Sequence, residues 1–230
     1  MSAPAPLQIG ILLYPNVTQL DATGPAQFLS GIPGARLHMI WKTREPVPTD
    51  ARFAIVPTTT FADCPPLDVI CVPGGRGQVE VMTDEETLAF LRRQGEAARY
   101  VTSVCTGSLI LGAAGLLKGY RSACHWAWRD MLKDFGAIPV AERVVRDRNR
   151  ISGGGVTAGI DFGLTMVAEL AGEETAKALQ LGYEYDPQPP FDSGSPEKAE
   201  PALLARTRER LAPLLEVRGK ANREAAARLA

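Results

Sequence analysis

The sequence is poor in the residues that bind metals. Its 230 residues include four cysteines and two histidines, and no two cysteines form a Cys-x-x-Cys pair. That spacing provides neither a zinc signature nor a redox dithiol. We therefore predict free thiols, no metal site and no metal or organic cofactor.

Long apolar runs and an excess of charge of one sign are also missing. The formal net charge is −1 at pH 7, which creates no field that would attract nucleic acid or an acidic membrane. No apolar run approaches the length that spans a bilayer, and the stretch Met1–Gly10 has no basic residues such as open a secretory signal. We expect a cytoplasmic protein that acts on a small molecule and binds neither nucleic acid nor a membrane.

The chain alternates between strand and helix patterns. Continuous apolar or alternating segments predict strands over residues 7–14, 35–43, 53–58, 67–72 and 98–104, with short strands or a hairpin over 121–124, 142–147 and 150–152. Amphipathic or apolar segments predict helices over residues 84–99, 107–117, 125–135 and 156–170. Strands separated by helices require a mostly parallel sheet flanked by helices. We predict a single α/β domain over residues 1–230, with its core at about 7–190 and a C-terminal helical extension at 191–230.

Cys105 stands where an apolar strand pattern changes into a helix pattern within one residue. This junction is typical of a nucleophile elbow, in which a sharp turn presents the reactive side chain at the edge of the sheet. The first turn of the following helix directs unpaired N–H groups at the sulfur, which favours the thiolate. The alternative is a buried, inert cysteine, but the elbow favours a nucleophile.

Two further candidates lie at strand ends near the elbow. Gly75 ends the strand at Val72-Pro-Gly-Gly75, where a backbone N–H can face a substrate without an obstructing side chain. Thr106 follows the cysteine and can offer its own backbone N–H. The structural alternatives are a tight turn for Gly75 and an ordinary first helical residue for Thr106.

Three segments resemble the ThiJ/PfpI superfamily, and within it most closely the isocyanide hydratase branch. They are Pro15-Asn-Val-Thr-Gln-Leu-Asp-Ala-Thr-Gly-Pro25, Val72-Pro-Gly-Gly75 and Ser103-Val-Cys-Thr-Gly107. The resemblance implies a flavodoxin-like, glutamine-amidotransferase-like sandwich and a homodimer. It also implies an acid close to Cys105, commonly Glu in the superfamily, at the position of Asp21. The alternative for Asp21 is a helix cap. His125 is as compatible with a structural role as with the active site.

The resemblance and the chemistry together predict hydration of isocyanides to N-substituted formamides. Cys105 would add to the isocyanide carbon, Asp21 would supply a proton, and water would hydrolyse the thioimidate. Asp21 needs a raised pKa for this, which desolvation favours. Two alternatives stay open: a glyoxalase or deglycase acting on 2-oxoaldehydes, and a ligand- or redox-sensing regulatory domain.

Overall fold

The computed structural model describes residues 6–229 and contains one central sheet with two small ones beside it. Residues 1–5, part of the stretch interpreted above as lacking a secretory signal, and residue 230 lie outside the described residues. The strands are β1 (Leu7–Leu12), β2 (Ala35–Trp41), β3 (Val47–Pro48), β4 (Ala54–Ile55), β5 (Thr59–Thr60), β6 (Val69–Val72), β7 (Tyr100–Val104), β8 (Arg121–Ser122), β9 (Ile138–Pro139), β10 (Val144–Asp147) and β11 (Arg150–Gly153).

The helices lie between and after these strands. They are α1 (Gln19–Leu29), α2 (Gln78–Val81), α3 (Glu85–Ala97), α4 (Gly107–Ala113), α5 (Ala158–Ala171), α6 (Glu173–Gly182) and α7 (Pro201–Ala227), with a 3₁₀ helix at Arg129–Phe135. In the part of the chain that the structure describes, no helix combines the length and apolarity needed to cross a bilayer.

The central sheet has the order β10-β11-β7-β6-β1-β2-β5. All neighbouring pairs are parallel except the β10–β11 hairpin. The chain passes from β1 to β2 in one direction, but from β6 through β7 to β11 in the other. Strand order therefore reverses between β1 and β6, and ligands of such sheets bind beyond the strand ends at this point. The fold is the mostly parallel, helix-flanked sheet that the sequence predicts.

The middle of the sheet is buried on both faces. Strands β6 and β7 are buried throughout, and β1 is buried from Ile9 onward. Helix α1 packs against α5, which also contacts α6, while α4 packs against the 3₁₀ helix and α7. Because right-handed crossovers in opposite directions place their helices on opposite faces, these two groups cover the two sides of the sheet.

Three predicted elements differ from the observed ones. Residues 53–58 do not form one strand: only Ala54–Ile55 is extended, and it pairs with Val47–Pro48 outside the main sheet. Phe53 and Val56 are exposed, so this apolar pattern does not face a core. The predicted helix over 125–135 is a 3₁₀ helix that begins at Arg129 and ends, as expected, before Gly136, whose φ is 69°. The predicted helical extension at 191–230 is helical only from Pro201, where α7 begins.

Candidate active site

Cys105 lies at a strained turn between β7 and α4. Its φ is 58°, in the left-handed region that residues other than glycine seldom adopt. The backbone holds this conformation from both sides: the Cys105 N–H donates to the Gly153 carbonyl at 3.0 Å, and the Ser108 hydroxyl donates to the Cys105 carbonyl at 3.1 Å. Such strain persists where the surroundings determine the conformation, and it is common at reactive residues.

Gly107 allows the elbow to approach the neighbouring strand. A Cβ atom at Gly107 would lie 1.8 Å from the carbonyl oxygen of Val72, at the end of β6. No side chain fits in that gap, so α4 starts directly against β6. The approach brings Cys105 and Thr106 beside the Pro73-Gly74-Gly75 turn.

Asp21 lies in the first turn of α1 and is completely buried, with 0% of its surface exposed. Its Oδ2 atom accepts a hydrogen bond from the Gly74 N–H at 2.9 Å. Its Oδ1 atom has no hydrogen-bond partner among residues 6–229. Because buried polar atoms are nearly always paired, this oxygen is available to the Cys105 thiol, to a water or to a substrate.

The Gly74-Gly75 turn connects Asp21 to Thr106. A Cβ atom at Gly74 would lie 2.6 Å from both the backbone nitrogen and the Oγ1 atom of Thr106, and 2.9 Å from Oδ2 of Asp21. The Gly75 N–H donates to Thr106 Oγ1 at 3.2 Å. The structure thus brings all four predicted site residues, Cys105, Asp21, Gly75 and Thr106, to one place beyond the ends of β6 and β7.

Burial dominates the acidity of the two reactive side chains. Desolvation raises the pKa of Asp21 to about 7, and the negative charge of Asp50 adds to this effect. The hydrogen bond from the Gly74 N–H and the proximity of the Cys105 thiol act in the opposite direction. A carboxyl group with this pKa still holds a proton close to neutrality, as proton donation by Asp21 requires.

The expectation of a readily formed Cys105 thiolate is not met by this site. Cys105 is 5% exposed, and burial followed by the charge of Asp21 raises its pKa well above the usual thiol value. The Thr106 N–H and the Arg218 cation act in the opposite direction without offsetting burial. A helix start lowers the pKa of a partly solvated sulfur, whereas this sulfur is enclosed together with a carboxyl group. Thiol and carboxyl are therefore a coupled pair.

Two residues near the pair have no role assigned to them from the sequence. Tyr14, which follows β1, is fully buried and donates its hydroxyl to the Pro73 carbonyl at 2.9 Å. Arg218, from the distant helix α7, is 5% exposed and donates from Nη2 to the Gly75 carbonyl at 2.9 Å. The position of Tyr14 at the end of a strand indicates in the sequence that it can lie near the site. No such sequence signal exists for Arg218, because a helical pattern does not show which turn of the helix docks against the site.

His125 lies on the Arg218 side of the site and is neutral near pH 7. Burial and the nearby Arg218 charge lower its pKa to about 4. Its Nδ1 atom accepts a hydrogen bond from the Ala127 N–H at 3.2 Å, so the proton of the neutral ring is on Nε2. Cys124 is buried next to it, with a pKa raised by burial to about 11.

Fold and site together define a class of protein. Residues 8–169 match the model of the DJ-1/PfpI family, and the chain belongs to that family. A solved structure of a THiJ/PfpI family protein from Pseudomonas syringae is similar with a TM-score of 0.91 and 49% identity, covering 96% of this chain and 90% of that one.

Curated relatives narrow the comparison further. The chain is 56% identical over 223 residues to the isonitrile hydratase of Pseudomonas putida. That match covers 97% of this chain and 98% of that protein. It is 30% identical over 191 residues to the HTH-type transcriptional regulator GbdR of Pseudomonas aeruginosa, but that match covers only 51% of the regulator.

Proposed function

We propose that this protein is an isocyanide hydratase, a hydro-lyase that adds water to an isocyanide and releases an N-substituted formamide. The observation that carries the proposal is a strained, buried Cys105 beside an Asp21 carboxyl, one oxygen of which is unpaired within residues 6–229. The 56% identity to an isonitrile hydratase over nearly the full length supports it. The reaction needs a nucleophile and a proton carrier, and this pair provides both.

The first step forms a thioimidate. Between the pKa of Asp21, about 7, and that of the thiol, the pair holds one proton, mainly on sulfur. Asp21 takes this proton as the sulfur forms a bond to the terminal isocyanide carbon, and then returns it to that same carbon. The product is R–N=CH–S–Cys105, and no atom leaves. Proton transfer within the pair provides the nucleophilic sulfur without a free thiolate in the resting enzyme.

Water releases the product in the second step. Asp21, again a carboxylate, accepts a proton from a water that adds to the thioimidate carbon and passes this proton to the nitrogen, which gives R–NH–CH(OH)–S–Cys105. The C–S bond then breaks, the hydroxyl proton moves through Asp21 to the sulfur, and R–NH–CHO leaves. Over both steps one isocyanide and one water give one formamide, and Asp21 and Cys105 end as they began.

The amides of the elbow support these steps. We propose that the Thr106 N–H stabilises negative charge on the Cys105 sulfur, on which it acts in the resting site. We propose Gly75 as a second backbone donor. Its N–H donates to Thr106 Oγ1, so it would reach a substrate only by exchanging that partner. Before substrate binds, the Thr106 N–H therefore acts on the sulfur, whereas the Gly75 N–H is occupied by Thr106 Oγ1.

The function is tested with one substitution and its matched control. Cys105→Ala is expected to abolish formamide production from small alkyl and aryl isocyanides, measured by mass spectrometry, and to leave the fold intact by circular dichroism. Cys64→Ala alters a half-buried thiol in another part of the chain and should keep wild-type turnover. Full activity of Cys105→Ala, or no turnover of any isocyanide by the wild type, would refute the assignment.

The two alternatives are not favoured. The match to the regulator spans about half of that protein, and a deglycase from Thermococcus kodakarensis matches over only 37% of this chain. Consumption of methylglyoxal without isocyanide turnover would instead support the deglycase.

We also propose a single-domain protein, residues 1–230 with a C-terminal extension from 191, that works as a cytoplasmic homodimer without a cofactor. Support for the dimer is the apolar surface left on the first part of α7. The side chains of Leu203, Leu214, Leu215 and Val217 are exposed there. Sedimentation of the purified protein as a monomer at micromolar concentration would contradict the dimer.

A further inference from the structure

A buried cation reaches the active site from the last helix. The first part of α7 is largely exposed, but its final turns dock against the domain through Arg218, Gly219, Ala221, Asn222 and Ala225. The Arg218 guanidinium lies over the Trp128 ring, with its central carbon 3.9 Å from the ring centroid. Its Nη2 atom donates to the Gly75 carbonyl at 2.9 Å, and its Nη1 atom has no partner among the described residues.

No carboxylate neutralises this guanidinium by direct contact. None of the ion pairs found within residues 6–229 includes Arg218. Burying a charge without a partner is costly unless an opposite charge lies nearby. Nearby ionisable groups that favour the charged guanidinium are, in order, Cys105, Tyr14 and Cys124. Cys105, which becomes anionic during the proposed reaction, therefore favours the charged guanidinium most strongly.

The hydrogen bonds of Arg218 lead to both reactive side chains. Gly75, whose carbonyl it holds, donates its N–H to Thr106 at the elbow. The adjacent Gly74 N–H donates to Asp21. Fixing this turn therefore fixes the carboxyl group and the first residue after the nucleophile together, and small displacements of reacting groups cost much of the rate.

We propose that Arg218 is a positioning residue of this active site, which clamps the Gly74-Gly75 turn and supplies the positive charge that offsets the negative charge of the Cys105–Asp21 pair. The proposal rests on the proposed function in that Cys105 is the nucleophile. It assigns to the C-terminal helix an electrostatic role in the chemistry, in addition to its packing. The role concerns the free enzyme, so it is measurable without substrate.

Several other charged or titratable groups face the same site and must stay unchanged in the test. They are Tyr14 after β1, Asp50 before β4, Cys71 in β6, Arg76 before α2, and Cys124 and His125 after β8. His125 is neutral near pH 7, and Tyr14, Cys71 and Cys124 keep their protons there because burial raises their pKa. The positive charge that a substitution of Arg218 removes is thus not replaced by protonation of a neighbour.

The test is the pH dependence of Cys105 alkylation by iodoacetamide, monitored by mass spectrometry of the Cys105 peptide. Arg218→Gln carries no charge, and its amide nitrogen is two bonds closer to the backbone than the Nη2 atom that holds the Gly75 carbonyl. It should move the alkylation midpoint up by about one pH unit, which lowers the rate at pH 7 about tenfold. The kcat/KM for isocyanide should fall at least as much. Arg218→Lys keeps the charge and should restore the midpoint to within about 0.3 pH units.

Two control variants separate this role from simple docking of α7. Asn222→Ala removes the hydrogen bonds of Asn222 to the Met131 carbonyl and to Asp134 but leaves the cation in place. Arg223→Gln removes an exposed positive charge from the same helix. Both should titrate like the wild type. A wild-type midpoint in Arg218→Gln, or an equal shift in Asn222→Ala, would overturn the proposal.

A variant that does not fold does not end the test. If Arg218→Gln lacks a cooperative thermal transition, Arg218→Met, which is also neutral, replaces it: a raised midpoint supports the role, and a wild-type midpoint refutes it. The alkylation result is independent of isocyanide turnover. A protein with the expected shift but no hydratase activity would disprove the proposed function and leave the role of Arg218 in place.

Discussion

Gly74→Ala tests the geometry of the site more directly than a change to either reactive residue. The added Cβ would lie 2.6 Å from two atoms of Thr106 and 2.9 Å from Oδ2 of Asp21. One of these contacts is with backbone, so a side-chain rotation cannot relieve all three. Gly74 is not among the glycines with positive φ, and alanine therefore meets no conformational strain of its own there. The variant changes the distance between Asp21 and Thr106 and little else.

The size of the effect follows from these contacts. Overpacking of a tight site costs about 1–3 kcal/mol of stability. A displacement of about 1 Å between reacting groups costs about 10²-fold in rate. We therefore expect Gly74→Ala to fold, with a lower urea midpoint, and to lose about two orders of magnitude in kcat/KM for formamide production.

A second glycine provides the matched control. A Cβ atom added at Gly182, at the end of α6, would meet no atom within 4 Å, and the φ of this glycine is not positive. Gly182→Ala should keep wild-type activity and gain up to about 1 kcal/mol, since alanine restricts the unfolded chain more than glycine does. A Gly74→Ala enzyme with wild-type kcat/KM and an unchanged urea midpoint would refute the close contact between Asp21, the turn and Thr106.

Three further outcomes follow from the same site. Asp21 has a pKa of about 7 in the folded protein and near 3.8 in the unfolded chain. Between these values the native state holds a proton that the unfolded chain has lost, so the free energy of unfolding falls as pH rises from about 4 to 7. Asp21→Asn should be inactive yet about 2–4 kcal/mol more stable than the wild type at pH 8 by urea denaturation. Equal stability of both proteins at pH 8 would contradict that pKa. The kcat/KM of the wild type should rise through about pH 7 as Asp21 becomes the proton acceptor, and a flat profile from pH 6 to 8 would exclude this role. Tyr14→Phe should lose about 1–3 kcal/mol, because the buried Pro73 carbonyl loses its donor; an unchanged urea midpoint would show that another donor replaces the hydroxyl.

The elbow could be predicted because its signal is local. A strand pattern that becomes a helix pattern at one residue specifies the turn, and the parallel topology then brings other strand ends to the same edge. Asp21 came from resemblance, since an acid in the first turn of a helix has an ordinary explanation as a cap. Gly75 and Thr106 were identified as backbone donors, but not the hydrogen bond between them.

The remaining properties depend on how the chain encloses the site. The acidity of Cys105 was predicted in the wrong direction because desolvation outweighs the helix start, and burial of a single side chain is not visible in a pattern. Arg218 was missed for a related reason. Its helix shows an ordinary charged surface in sequence, and only docking distinguishes the buried arginine from its exposed neighbours. The strand predicted around Phe53 does not form as one element, because its apolar residues Phe53 and Val56 are exposed and do not pack against the core.

The family model ends at residue 169, well before Arg218. A side chain from outside the shared domain thus sits against the turn that carries the shared chemistry. The segment after the family domain thus places a charged group against a turn that the domain itself builds. Engineering of this enzyme for other substrates should therefore treat its carboxyl-terminal tail as part of the catalyst, and should place purification tags at the opposite end.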